Sequence, residues 1–91
     1  MEHVDGTVDR GDVKLYALST CVWCKKTRQL LEELGLTYDY EYVDLATPDR
    51  RDEIEAEIMA RAGRAAYPTL CTPDECVTGY RPDEIRRLLD L

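Results

Sequence analysis

A short apolar run, VKLYAL at 13–18, breaks at Ser19-Thr20 and passes straight into a stretch of helical periodicity. That junction constrains the fold more than any other feature of the chain. The run is short and free of Gly and Pro, which suits a buried strand. Over 21–34 the apolar positions Trp23, Leu30, Leu31 and Leu34 recur at helical spacing, with Thr20 as the expected N-cap and Gly35 as the stop. Residues 38–45, YDYEYVDL, then alternate Tyr38, Tyr40 and Tyr42 with Asp39 and Glu41, the pattern of a strand. Two strands joined through a helix lie parallel, with a right-handed crossover.

The remaining chain continues the pattern. Thr47-Pro48-Asp49 opens a second helix whose stripe is Ile54, Ile58 and Met59, ending near Ala62 and Gly63. Residues 67–72 read as a strand with Pro68 near its start, Pro73-Asp74 as a turn, and 75–78 as a short edge strand. Pro82 opens a last helix with Ile85, Leu88 and Leu89 inward and Arg86 and Arg87 at its C-terminal end, where cations are favoured. The order β-α-β-α-β-β-α predicts an α/β domain with a four-stranded mixed sheet and three helices, the last two strands forming an antiparallel hairpin. Residues 1–12 carry Glu2, Asp5, Asp9 and Asp12 and read as a mobile leader ahead of one domain over 13–91, with His3 a solvated tail residue.

Composition limits the functions open to this fold. The 91 residues correspond to one domain, and a 44% hydrophobic content supplies its core. Twelve basic against 19 acidic side chains leave a net charge of −7, which argues against a nucleic-acid partner. No apolar run approaches the ~20 residues of a membrane span, and the first residues lack the basic and apolar regions of a secretory signal. A cytoplasmic location is therefore expected. There, four Cys point to catalysis or metal binding more than to a disulfide framework.

Cys21-Val22-Trp23-Cys24 lies at the strand-to-helix junction. At a helix N-terminus the first thiol meets unpaired N–H groups and the positive end of the helix dipole, so its pKa falls below the free value of ~8.5. Three residues on, Cys24 shares the same helix face and can bridge to it. The pattern separates an attacking Cys21 from a resolving Cys24 in thiol–disulfide exchange. The same spacing also serves zinc sites, and a non-catalytic iron–sulfur or zinc carrier built on Cys21 with another chain is the rival from a different class. Lys25 and Lys26 read as a solvated helix face. Taken alone, Tyr67-Pro68 is an ordinary proline at a strand entrance; a cis bond there would free the Tyr67 backbone to pair with an extended substrate.

A second pair, Cys71 and Cys76, brackets the Pro73-Asp74 turn. In a two-residue hairpin loop the two residues face each other. Unpaired buried thiols are the first expectation, a disulfide the second and a metal site the third. A zinc site that also takes Cys21 and Cys24 is disfavoured, because Cys71 lies about 10 Å beyond Pro68 at ~3.3 Å per residue.

The element order, the Cys21–Cys24 motif after the first strand, and Ala62-Gly63-Arg64-Ala65-Ala66-Tyr67-Pro68 before the third together resemble the glutaredoxins. The likeness covers about 13–91. It implies a thioredoxin-like fold, a dithiol redox centre needing no further cofactor, a cis-proline at Pro68, and substrate pairing at the Tyr67 backbone. Thr78-Gly79-Tyr80-Arg81-Pro82-Asp83 resembles the corresponding stretch of the NrdH-redoxins, which reduce ribonucleotide reductase and are recharged by a reductase protein. That resemblance implies a substrate surface of Thr20, Val22, Trp23, Tyr67, Pro68, Gly79, Tyr80 and Arg81, protein disulfides as substrates, and a thioredoxin-reductase-type donor. Glutathione-using members carry a Lys where Leu18 stands and an Asp where Arg81 stands, which implies weak glutathione binding here. Two features depart from the NrdH-redoxins, the long second helix over 47–62 and Trp23; both are closer to true glutaredoxins and keep a glutathione-dependent glutaredoxin as the rival reading within the family.

Overall fold

The computed structural model describes residues 1–91. In chain order the elements are β1 (Glu2–Val4), β2 (Lys14–Ala17), α1 (Val22–Glu33), β3 (Tyr38–Tyr42), a 3-10 turn (Val43–Leu45), α2 (Pro48–Ala62), β4 (Thr69–Cys71), β5 (Cys76–Thr78) and α3 (Pro82–Leu89). They form one mixed sheet in the order β1-β3-β2-β4-β5. Strands β2 and β3 are parallel, as a helical crossover requires, with Lys14 opposite Asp39 and Ala17 opposite Tyr42. Strand β4 runs antiparallel to β2, and β5 closes the far edge as a hairpin with β4. No helix is long and apolar enough to cross a membrane.

The period of two along β2 divides the core into two layers. Leu15 and Ala17 belong to the larger cluster, with Leu31 from α1, Leu70 from β4, and Ile85 and Leu89 from α3. Tyr16 points the other way and packs with Val43, Ile54 and Ile58 under α2. Met59, expected in that stripe, is half exposed, so the buried face of α2 is narrower than the sequence suggested. Helix α2 has the expected ends: Thr47 Oγ1 accepts the Arg50 N–H at 3.2 Å, and Gly63 stops the helix at φ 82°. The tyrosines of β3 are covered by Arg28 of α1. Its guanidinium lies 3.8 Å over the Tyr40 ring and donates to the hydroxyls of Tyr38 and Tyr42.

The sheet has five strands rather than four because part of the expected leader adds to it. Strand β1 pairs antiparallel with β3, Glu2 opposite Tyr40 and Val4 opposite Tyr38, and so covers an edge that would otherwise be bare. His3 is not a free tail residue: its ring nitrogens lie 2.6 Å from Asp39 Oδ1 and 2.8 Å from Asp5 Oδ1. Further on, the chain docks on the α1–β3 connection. Val8 N–H donates to Gly35 O at 2.8 Å and Thr37 N–H to Val8 O at 2.8 Å. Gly6 permits this approach, since a Cβ there would sit 2.1 Å from the Gly35 carbonyl oxygen. Arg10 then donates to Leu89 O at 3.0 Å, tying the segment to the end of α3. With three residues and polar side chains beside Val4, such an edge strand has little alternation to detect.

Candidate active site

The turn from β2 to α1 places both sulfurs. The N-cap of α1 is Cys21 rather than Thr20, with φ −90° and ψ 120°. Its Sγ accepts the Cys24 N–H at 3.3 Å, taking the place an oxygen cap would hold, while Thr20 is exposed. Cys24, one turn on, is buried, and its Sγ accepts the Leu18 N–H at 3.4 Å.

These surroundings drive the two thiols apart. Burial alone would raise Cys21. The Cys24 thiol and the N–H groups of Cys24 and Trp23 outweigh it by hydrogen bonding to the sulfur, so the Cys21 pKa is lowered. Burial pushes Cys24 up to about 12, helped by its bond to Cys21. The pair thus holds one more readily deprotonated, partly exposed sulfur and one protonated sulfur buried beneath it.

Beside Cys21 and Cys24 runs a cleft of about 300 Å³ lined by Trp23, Tyr67, Pro68, Gly79, Tyr80 and Arg81. All six were singled out from the sequence; Thr20 and Val22 were too, but they lie exposed beside Cys21 and do not line the cleft. The Tyr67–Pro68 peptide is cis. The Tyr67 backbone N–H and C=O have no intramolecular partner, whereas Pro68 O accepts the Gly79 N–H at 2.7 Å and joins the two walls. Trp23 stacks on Tyr80 with ring centroids 5.9 Å apart, and Lys26, exposed as expected of a solvated helix face, holds its Nζ 5.1 Å over the Trp23 ring.

The glutaredoxin family model matches residues 13–77, which include both sulfurs and the cis-proline. This chain belongs to the glutaredoxin family. It is a thiol–disulfide oxidoreductase of that family. Among solved structures, the glutaredoxin from Methanosarcina mazei Go1 is similar at 42% identity and a TM-score of 0.92, over 99% of this chain and 87% of that one. Methanoredoxin from Methanosarcina acetivorans is similar at 32% identity and a TM-score of 0.92, over 100% of this chain and 97% of that one. Both likenesses therefore extend through β1. The glutaredoxin-like protein NrdH of Salmonella typhimurium is 32% identical over 84% of this chain and 86% of its own length.

The Ser19–Asp44 pair adds a member to this redoxin's site that no local sequence pattern marks. Ser19 N–H donates to Asp44 Oδ1 at 2.9 Å, and the Ser19 hydroxyl donates to Oδ2. These bonds lower the Asp44 pKa, and the carboxylate in turn adds to the forces keeping Cys24 protonated. The signal was present in the register: with Ala17 opposite Tyr42, Ser19 and Asp44 each lie two residues past the paired strand ends.

The second cysteine pair forms a disulfide, Cys71–Cys76, with Cα atoms 4.1 Å apart. Free thiols were the first expectation; hairpin geometry overturns it. Thr72 N–H donates to Glu75 O at 2.9 Å across the Pro73-Asp74 loop, which makes Cys71 and Cys76 the next, non-hydrogen-bonded pair, where side chains approach most closely. The bridge also removes these sulfurs as metal ligands. Replacing both with Ser should lower stability by about 2 kcal/mol through the lost closure of a short loop, and leave disulfide turnover nearly unchanged. Denaturant unfolding alongside a turnover assay measures both. A large loss of turnover with an intact fold would assign the pair a role in electron relay.

Proposed function

We propose that this redoxin reduces disulfides in proteins through Cys21 and Cys24 and is recharged by a disulfide reductase protein. The carrying observation is the position of Cys21: it caps α1 beside an aromatic cleft whose wall presents the unpaired Tyr67 backbone.

In this reaction the Cys21 thiolate attacks one sulfur of the substrate disulfide. A mixed disulfide forms and the other substrate sulfur leaves as a thiolate. Cys24 then loses its proton and attacks Cys21 Sγ, which releases the second substrate thiol. The redoxin is left with a Cys21–Cys24 disulfide, having passed two electrons and two protons to the substrate. An extended substrate segment pairs with the Tyr67 N–H and C=O as an added strand, while Trp23 and Tyr80 supply apolar anchoring. No further cofactor is required. The reaction suits a reducing compartment such as the cytoplasm, and the Gly79-Tyr80-Arg81-Pro82-Asp83 stretch favours ribonucleotide reductase among the substrates.

Charge argues for a protein donor over glutathione, which carries two carboxylates and one ammonium. Leu18 is packed against the core and offers no cation to a carboxylate; Arg81, on the cleft wall, repels the ammonium. The reduction rate of the oxidised Cys21–Cys24 pair should be at least about tenfold higher with catalytic thioredoxin-reductase-type enzyme than with millimolar glutathione. Efficient turnover with glutathione and none with any reductase would make glutathione the donor.

A further inference from the structure

A second groove, of about 430 Å³, adjoins the cleft and shares Arg81 with it. It follows the β5 edge, and its cations are Arg61, Arg64, Arg81 and Arg87, facing only two carboxylates, Glu75 and Glu84. Both carboxylates are taken by Arg87, at 2.8 Å and 3.0 Å. Arg61 donates to the Thr72 carbonyl and pairs with no acid; Arg64 and Arg81 are exposed and have no side-chain partner. In a chain of net charge −7, three guanidinium groups without a carboxylate along one groove are a local reversal of sign.

We infer that this groove is a subsite for acidic residues flanking the disulfide of a substrate polypeptide. This rests on the dithiol function proposed above and names its substrate class. The geometry favours a polypeptide over a small anionic thiol. Arg81 lies at the end shared with the cleft, whereas Arg61 reaches the Thr72 carbonyl beside the Cys71–Cys76 pair, so cations stand at both ends of the β5 edge. Two residue steps of strand already span about 7 Å. A ligand with its charge at one point engages one end of such a row. An extended segment with several Asp or Glu, continuing from the backbone of Tyr67, meets the row along its length. Guanidinium groups are suited to this, being permanently charged and able to fork onto carboxylates. The resulting field also draws acidic partners towards an otherwise acidic molecule.

Disulfide peptides with one common core and Glu-rich, neutral or Lys-rich flanks provide the test, with glutathione disulfide as a fourth substrate. At low salt the Glu-rich peptide should have a kcat/KM on the order of tenfold above the Lys-rich one, and the ratio should shrink as salt rises. Arg64→Glu, at an exposed position outside the cleft, should erase the preference and leave the neutral peptide unaffected. A redox-inert Glu-rich peptide with Ser in place of Cys, titrated in an NMR experiment, should shift the signals of Arg64, Arg81 and Thr78, while its Lys-rich counterpart should not. That arm is independent of the chemistry. If no disulfide is reduced but these shifts appear, the redox function falls and the acidic subsite stands. Equal rates for all flanks together with no shifts overturn the subsite. A salt-dependent, Arg64-dependent preference for glutathione disulfide over the Glu-rich peptide overturns the polypeptide assignment.

Discussion

Cys21→Ser is expected to abolish disulfide reduction, whereas Cys24→Ser is expected to leave the attacking half-reaction intact and to accumulate a covalent complex with the substrate protein. The asymmetry comes from position. Cys21 caps α1 and is partly exposed, with N–H groups directed at its sulfur, so it can reach a substrate as a thiolate. Cys24 is buried beneath it and cannot reach a bulky disulfide until the mixed disulfide brings the electrophilic sulfur to Cys21. Removing Cys21 therefore removes the only route in. Removing Cys24 removes the route out, and the mixed disulfide persists until an external thiol attacks it. Non-reducing electrophoresis of each variant after exposure to a disulfide-bonded protein shows which has happened. A trapped adduct with Cys21→Ser and none with Cys24→Ser would reverse the two roles.

The site was legible wherever its chemistry depends on near neighbours in the chain. The strand ending at Ala17, the helix starting at Val22 and the sulfurs between them are a local arrangement, written in one run of apolar residues and one change of period. The Pro73-Asp74 hairpin was legible in the same way, and it fixed Cys71 opposite Cys76; whether they bridge depends on close approach across the hairpin, which no residue pattern encodes. Features that depend on distant partners were not legible. Cys21 replaced Thr20 as the cap because the helix begins one residue later than its periodicity suggested. Strand β1 follows from the uncovered edge of β3, not from any strong preference of Glu2, His3 and Val4. Asp44 meets Ser19 only through the parallel register. Arg64 lines the groove beside the cleft, a placement set by how the α2–β4 connection packs against β5 and not by any local pattern.

At neutral pH a thiol-alkylating reagent is expected to label Cys21 and leave Cys24 essentially untouched. The reagent reacts with thiolate, so the fraction deprotonated sets the rate. Cys24 is pushed up to about 12 by burial and by its bond to Cys21, so at pH 7 about one molecule in 10⁵ carries that thiolate. Against the effect of burial, Cys21 is lowered from its ordinary value by hydrogen bonds from the Cys24 thiol and the N–H groups of Cys24 and Trp23, so a far larger share of it is thiolate at the same pH. The labelling rate of Cys21 should level off at lower pH than that of Cys24, which should keep rising towards its own value of about 12. The high value at Cys24 has a partner-dependent part, and this gives the second half of the prediction. Burial stays when Cys21 enters a mixed disulfide, but the thiolate that Cys24 donated to, and its charge, are gone. The N–H of Leu18 still points at the Cys24 sulfur and favours its thiolate. Cys24 should therefore titrate at lower pH in protein whose Cys21 has been S-methylated than in the unmodified dithiol, which is the change that lets it resolve the intermediate near neutral pH. Ultraviolet thiolate absorbance against pH reads both states. An unchanged Cys24 titration after methylation would mean that burial alone holds its proton. Faster labelling of Cys24 than of Cys21 in mildly acidic solution would overturn the division of labour between them.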